Sequence, residues 1–121
     1  MSTIFVDTFY WIARINPHDQ WHDKARVISA SLGDTRLLTT EAVLLELLNY
    51  FSAYGPEMRL AAAQIVRSIL SNPRVEVLMQ PRELFLAGLV LFEARPDKGY
   101  SLTDCISMVA MRERGLTDVL T

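Results

Sequence analysis

Three acidic residues are the side chains of this sequence best placed to do chemistry. Asp7 directly follows the apolar run Thr3–Val6. Glu46 interrupts the apolar run Leu44–Leu48, and Asp104 stands near the start of a predicted helix. Clustered carboxylates repel one another unless a cation neutralises them, and hard oxygen ligands suit Mg²⁺ or Mn²⁺. If the fold gathers these acids, the sequence predicts a metal site that stabilises displacement at phosphorus by metal-activated water.

Each acid also has a purely structural interpretation. Asp7 could cap the N-terminus of the helix that follows it. Glu46 could pair with an arginine or lie at an exposed seam, but a carboxylate in so apolar a helix is costly to bury without a partner. Asp104 could complete a capping box with Ser101. Glu41 lies about 140° round the helix from Glu46 and is interpreted as structural, because the helix dipole favours an acid near the N-terminus.

The order of predicted elements says where these acids would meet. Strands alternate with helical segments long enough for parallel crossovers, so we predict a three-layer α/β/α fold with a parallel central sheet. Ligands bind outside the carboxyl ends of such strands, where the strand order reverses, which points to Asp7. We predict strands at Thr3–Val6, Arg36–Thr39, Val75–Met79 and Val119–Thr121, and helices at Thr8–Arg14, Asp19–Leu32, Thr40 to about Tyr54, Pro56–Ser71, Pro81 to about Arg95, and Ser101–Arg114.

Length and composition bound the class of protein. A chain of 121 residues fits one domain, here residues 1–121. A formal net charge of −2 excludes a generally basic coat for nucleic acid. Cys105 is the only cysteine, and we find neither a signal peptide nor an apolar stretch of membrane-spanning length. We therefore expect a cytoplasmic protein, with Cys105 as a small core residue.

The sequence resembles the PIN-domain family, which includes the VapC-type toxins of bacterial toxin–antitoxin pairs. The matching segments keep the family's order and spacing over nearly the whole chain, at Ile4–Phe9, Thr39–Asn49, Tyr100–Ser107 and Gly115–Thr121. The resemblance implies a ribonuclease that uses Mg²⁺ or Mn²⁺ to hydrolyse phosphodiester bonds. It also implies that Asp7, Glu46 and Asp104 are both metal ligands and catalytic residues. Thr8 matches the hydroxyl residue that commonly follows the first acid and would orient it.

The family usually has a fourth acid after the last strand, in a Thr-x-Asp-type segment. This sequence stops at Thr121, before that position, and Asp118 precedes the strand end, so it is not assigned as the fourth ligand. The C-terminal end of the domain is either naturally short or missing, and both interpretations stay open. The alternative function is therefore a non-catalytic PIN-fold interaction domain without the fourth acid. A phospho-accepting receiver domain is disfavoured because Asp7 stands alone after its strand and Lys98 falls in a loop.

The resemblance also implies partners, namely an RNA substrate, a second copy of the chain and a small antitoxin protein that occludes the acidic crevice. Asn49 would support the site by hydrogen-bonding a ligand or an acid. Arg95, Lys98 and Arg112 are weaker candidates for RNA phosphates. We expect His18 and His22 to share a helix face without a third metal ligand. A dimer surface is expected to involve Phe51, Tyr54, Leu60 and Ile65.

Overall fold

The computed structural model describes residues 2–120 and contains a four-stranded parallel sheet in the order β3-β2-β1-β4, with six helices. This confirms the predicted three-layer α/β/α class. The strands are β1 (Thr3–Val6), β2 (Arg36–Thr40), β3 (Val75–Leu78) and β4 (Val119–Leu120), and the helices are α1 (Thr8–Ile15), α2 (His22–Ser31), α3 (Glu41–Phe51), α4 (Pro56–Ser71), α5 (Arg82–Ala94) and α6 (Leu102–Glu113). The expected last strand residue, Thr121, lies outside the described residues.

The strand order makes β1 the point of the sheet where the direction of strand addition reverses. The chain runs outward from β1 through β2 to β3, and then returns to the other side of β1 as β4. Phe5 pairs with Leu38 on one side, and Val6 pairs with Leu120 on the other. The strand order therefore reverses at β1, and the position just after its carboxyl end is where parallel sheets bind ligands.

The core surrounds β1 and the helices that flank the sheet. Phe5, Val6, Leu47 and Phe51 are completely buried. The hydroxyl of Thr39 on β2 donates to the Val6 carbonyl at 3.0 Å, so the inner strands are joined by a side chain as well as by their ladder. Burial of this kind explains why the apolar run of β1 shows no polar alternation.

Local capping signals set the start of the helix that carries Glu46. The hydroxyl of Thr40 accepts a hydrogen bond from the Val43 amide at 3.1 Å, which is the cap that a threonine typically makes at the start of a helix. The helix ends at Phe51 rather than near Tyr54. It is also not buried all round, because Leu45 is 60% exposed. The apolar run from Ala42 to Leu48 predicts a mostly buried helix, and that prediction is wrong on the outer face of α3.

The second helix begins later than predicted. The Asp19 side chain accepts a hydrogen bond from the Trp21 amide at 2.8 Å, which makes a turn before α2 starts at His22. His18 consequently lies outside the helix, and the expectation that it shares a helix face with His22 is wrong. The His22 ring instead lies with Nδ1 2.6 Å from the Ala13 carbonyl oxygen, tying α2 to α1.

The predicted dimer surface is also partly wrong, because Phe51 is fully buried in the monomer. Tyr54 and Leu60 are 49% and 66% exposed, and Ile65 is half-buried. Only part of that set is therefore available to a partner. Cys105 is completely buried, which agrees with the core position expected for it.

Helices α5 and α6 pack very closely where Gly88 faces Ile106. A Cβ atom added at Gly88 would lie 2.5 Å from the Ile106 Cγ1 atom and 3.3 Å from its backbone nitrogen and Cα. The contact requires a residue without a side chain, and it fixes α6, which carries Asp104, against α5. Within residues 2–120, no helix is both long and apolar enough to cross a membrane.

Candidate active site

Asp7 lies at the point where the strand order reverses. Its backbone amide donates to the Leu120 carbonyl at 2.9 Å, so the residue is anchored between β1 and β4. Its Oδ1 atom accepts a hydrogen bond from the Thr8 amide at 2.8 Å and caps α1. The capping role considered as the structural alternative is thus present. It engages only one oxygen of the carboxylate.

Glu46 is held by a residue of a different element. The Thr8 hydroxyl, which is 3% exposed, donates to Glu46 Oε1 at 2.5 Å across 38 positions of sequence. The expectation that this hydroxyl orients the first acid is corrected, since the amide of Thr8 contacts Asp7 and its hydroxyl contacts Glu46. Within residues 2–120 the only ion pairs are Arg95–Asp97 and Arg114–Glu76, so Glu46 has no arginine partner there.

Asp104 is held by the N-terminus of its own helix. The Ser101 amide donates to Asp104 Oδ2 at 3.0 Å, and the Asp104 amide donates to Ser101 Oγ at 3.0 Å. This is the complete capping box that the sequence suggested. The box fixes the carboxylate at the N-terminus of α6 and, like the cap on α1, engages one of its two oxygens.

The electrostatics of Asp7 show that the three acids share one region. Burial raises the pKa of Asp7 above its ordinary value, and the Thr8 amide partly opposes that rise. The negative charges of Asp104 and Glu46 raise the pKa of Asp7 further. Glu46 on α3 and Asp104 on α6 therefore lie near enough to Asp7, the residue after β1, for their charges to act on it.

The chemistry of these donors fits a hard divalent cation, because all of them are carboxylate oxygens. Each carboxylate is oriented through one oxygen and keeps a second one. In the described part of the chain, however, no three His, Cys, Asp or Glu side chains are gathered closely enough to ligate one ion. The acids are neighbours in the same electrostatic field, but their side chains are not arranged as a closed coordination shell.

The remaining predicted residues lie at different distances from the acids. Asn49 is exposed one turn after Glu46, and both residues line a groove between α3, α5 and α6. Arg95 pairs with Asp97 at 3.3 Å, and Lys98 is exposed in the loop before α6. Arg112 lies about 12 Å along α6 from Asp104, from the rise of 1.5 Å per residue. Of these four, only Asn49 shares a groove with one of the acids.

Sequence reasoning missed most of the groove beside Glu46. Its walls include Leu45, Phe85 and Thr103, which come from three separate helices. No spacing in the sequence links these residues. The one available signal in the sequence was that α5 has more apolar residues than one buried face needs. Phe85, which is 39% exposed, is one of those extra apolar residues.

Comparisons with known proteins agree with this architecture. The PIN domain family model matches residues 4–121. Comparison with functionally curated proteins gave no match. Among solved structures, the VapC20 toxin of Mycobacterium tuberculosis, described as cleaving the sarcin–ricin loop, matches with a TM-score of 0.83 and 27% sequence identity. That match covers 96% of this chain and 86% of the toxin chain. With a family match over nearly its whole length and acids at the reversal point of the sheet, this chain belongs to the PIN domain family.

Proposed function

We propose that this PIN domain is a metal-dependent ribonuclease and the toxin of a toxin–antitoxin pair. The observation that supports the proposal is that Asp7 follows β1, where the strand order reverses, and that burial and then the charges of Asp104 and Glu46 raise its pKa. Similarity to VapC20, a toxin described as cleaving an RNA loop, supports RNA as the substrate class. Such an arrangement of carboxylates suits a site that accepts Mg²⁺ or Mn²⁺ together with a phosphodiester.

Each acid would contribute the oxygen that its intrachain hydrogen bond leaves available. Asp7 and Asp104 are fixed by backbone amides, and Glu46 is fixed by the Thr8 hydroxyl. When bound, the ion supplies activation of a water molecule and charge stabilisation for in-line displacement at phosphorus. The residues of the chain orient the carboxylates, and Asn49 contacts the ligand beside Glu46.

The partners follow from the same proposal. We propose that RNA reaches the acids along the exposed loop that carries Arg95 and Lys98, with Arg112 in a peripheral role. Tyr54 and Leu60 are the exposed apolar residues of the expected dimer surface. An antitoxin would act by covering the acidic crevice. A cytoplasmic location belongs to this proposal because cellular RNA is found there.

The test compares neutral variants of the three acids with a matched control. Asp7→Asn, Glu46→Gln and Asp104→Asn should each reduce Mg²⁺-dependent cleavage of RNA by about 10²-fold or more, the scale seen when one group stabilising a transition state is removed. Asp34→Asn changes an exposed acid in a turn and should leave cleavage unchanged. Circular dichroism checks that every variant is folded. Undiminished cleavage by the Asp7 and Asp104 variants would overturn the proposal.

One observation favours the second candidate, a non-catalytic PIN-fold interaction domain. The described residues contain no closed set of three ligating side chains, so the site depends on the carboxylates reorienting around an ion. Calorimetry with Mn²⁺ separates the two functions. A nuclease should bind the ion with a dissociation constant below the millimolar range, and Asp7→Asn should weaken that binding. Absence of binding at millimolar Mn²⁺ would favour the interaction domain.

A further inference from the structure

A groove of about 290 Å³ opens directly beside Glu46, between helices α3, α5 and α6. Glu46 forms part of its wall, and so does Thr103, the residue before Asp104, so the groove borders two of the three acids. Apart from Glu46, its lining combines apolar and neutral polar side chains, from Ala42, Leu45, Asn49, Gln80, Phe85, Leu102, Thr103 and Ile106.

The polar groups of this groove are suited to reading a neutral ligand. Asn49 and Gln80 each offer a carboxamide, and Thr103 offers a hydroxyl. Hydrogen bonds within residues 2–120 use the backbone of Gln80, whose amide donates to Glu41 Oε1 at 2.7 Å, and do not use either carboxamide. This hydrogen bond holds the loop before α5 in place. The carboxamides of Gln80 in that loop and of Asn49 on α3 remain available to a ligand.

The apolar part of the lining supplies an exposed contact surface that includes one aromatic side chain. Phe85 is 39% exposed and Leu45 is 60% exposed, although both lie against the groove. Among the lining residues, Glu46 is the only one with an ionisable side chain, and no arginine or lysine is present. The groove has no cation to neutralise a phosphate. An uncharged aromatic ring could instead stack on the Phe85 side chain and form hydrogen bonds along the edge of the ring.

We propose that this groove binds one nucleobase of a single-stranded RNA, next to the phosphodiester held by the acids. The base would stack on Phe85 and be read along its edge by Asn49 and Gln80, which is how proteins recognise unpaired RNA bases. The inference rests on the proposed ribonuclease function and adds a residue set that determines nucleotide preference beside the cleaved bond.

The experiment measures both cleavage preference and binding. A pool of single-stranded RNA with random sequence is cleaved in Mg²⁺, and the new ends are sequenced. Affinity for short fluorescent homopolymer RNAs is measured by anisotropy in the Asp7→Asn background, which is expected not to cleave. The tested changes are Asn49→Ala, Gln80→Ala and Phe85→Ala. The matched controls are Leu86→Ala, an exposed apolar neighbour on α5, and Gln64→Ala, an exposed amide on α4; neither lines the groove.

The groove variants should weaken RNA binding about tenfold, the scale of one lost stacking contact, and should flatten the nucleotide preference at one position beside the cut. The controls should change neither. If the groove variants match the controls while the wild type cleaves RNA, the base site is refuted and the ribonuclease proposal stands. If binding depends on the base and on the groove but the wild type never cleaves, the ribonuclease proposal fails and the base site stands.

A protein occupant of the groove gives a different result. If RNA affinity and preference are unchanged, while a protein encoded next to this gene binds the wild type and not Phe85→Ala, the groove receives a protein segment and the inference is overturned.

Discussion

Replacing Thr8 with valine removes one hydrogen bond and little else. Valine has nearly the shape of threonine, and position 8 is 3% exposed, so no cavity forms. The hydroxyl lost is the one that donates to Glu46 Oε1 at 2.5 Å. The variant therefore isolates the link between the strand end that carries Asp7 and the helix that carries Glu46.

The expected loss of stability follows from the charge of the acceptor. A hydrogen bond to a charged group contributes about 1.5–3 kcal/mol, against about 1 kcal/mol for a neutral pair. Glu46 is only half-buried, so water recovers part of that value, and we expect Thr8→Val to lose about 1.5 kcal/mol. For a chain of this size, that loss lowers the melting temperature by roughly 4–8 °C.

Urea titration followed by circular dichroism measures this loss, with Thr39→Val as the matched control. The Thr39 hydroxyl is fully buried and donates to a neutral carbonyl at 3.0 Å, so its removal should cost about 1 kcal/mol or less. Combining Thr8→Val with Glu46→Gln should show a coupling of about 1 kcal/mol. The reasoning is refuted if Thr8→Val costs no more than the control and its effect adds independently to that of Glu46→Gln.

Three further predictions concern the stability of the fold. In EDTA at pH 7, Asp7→Asn should raise the free energy of unfolding, because burial and neighbouring charges raise the folded pKa of Asp7. The wild type gains stability as the pH falls through that pKa. Urea titrations should therefore show the variant's advantage in free energy of unfolding shrinking towards acid pH, and an advantage that increases towards acid pH would contradict this reasoning. Gly88→Val should lower the free energy of unfolding by about 1–3 kcal/mol, because the valine side chain would overlap Ile106. A melting temperature equal to that of the wild type would contradict this prediction. Arg114→Ala should lose about 0.5 kcal/mol at neutral pH, because the pair is largely exposed. Arg114 lowers the pKa of Glu76, so the loss measured by urea titration should vanish as the pH falls through the folded pKa of Glu76.

Those features of the fold that depend on neighbouring residues could be predicted from the sequence. The cap at Thr40, the proline that begins α4 and the capping box at Ser101 each act within a few residues, and all three are present. The predicted start of α2 was wrong because the Asp19 side chain accepts a hydrogen bond in a turn that competes with the helix. The predicted burial of α3 was wrong at Leu45, because the spacing of apolar residues along a helix does not say which of its faces another element covers.

The candidate site shows the same division. The positions of Asp7 after β1 and of Asp104 in the first turn of α6 could be predicted from sequence, because both are set by the local boundaries of an element. The partner of Glu46 could not be found, because Thr8 is 38 residues away and nothing in the local pattern pairs them. The groove that includes Phe85 was missed for the same reason, since its lining is assembled only when three helices pack.

The way the acids are held has a consequence for how folding and cation binding are linked. Each carboxylate is anchored through one oxygen, and the pKa of Asp7 is raised first by burial and then by repulsion from Asp104 and Glu46. A cation that binds the folded state alone relieves that repulsion and stabilises the protein by about 2.7 kcal/mol at a hundred times its dissociation constant. Scanning fluorimetry with increasing Mn²⁺ should therefore raise the melting temperature of the wild type and of the Asp34→Asn control, but hardly that of Asp7→Asn. An equal rise in all three proteins would place the bound cation elsewhere and remove the acidic edge as the metal site.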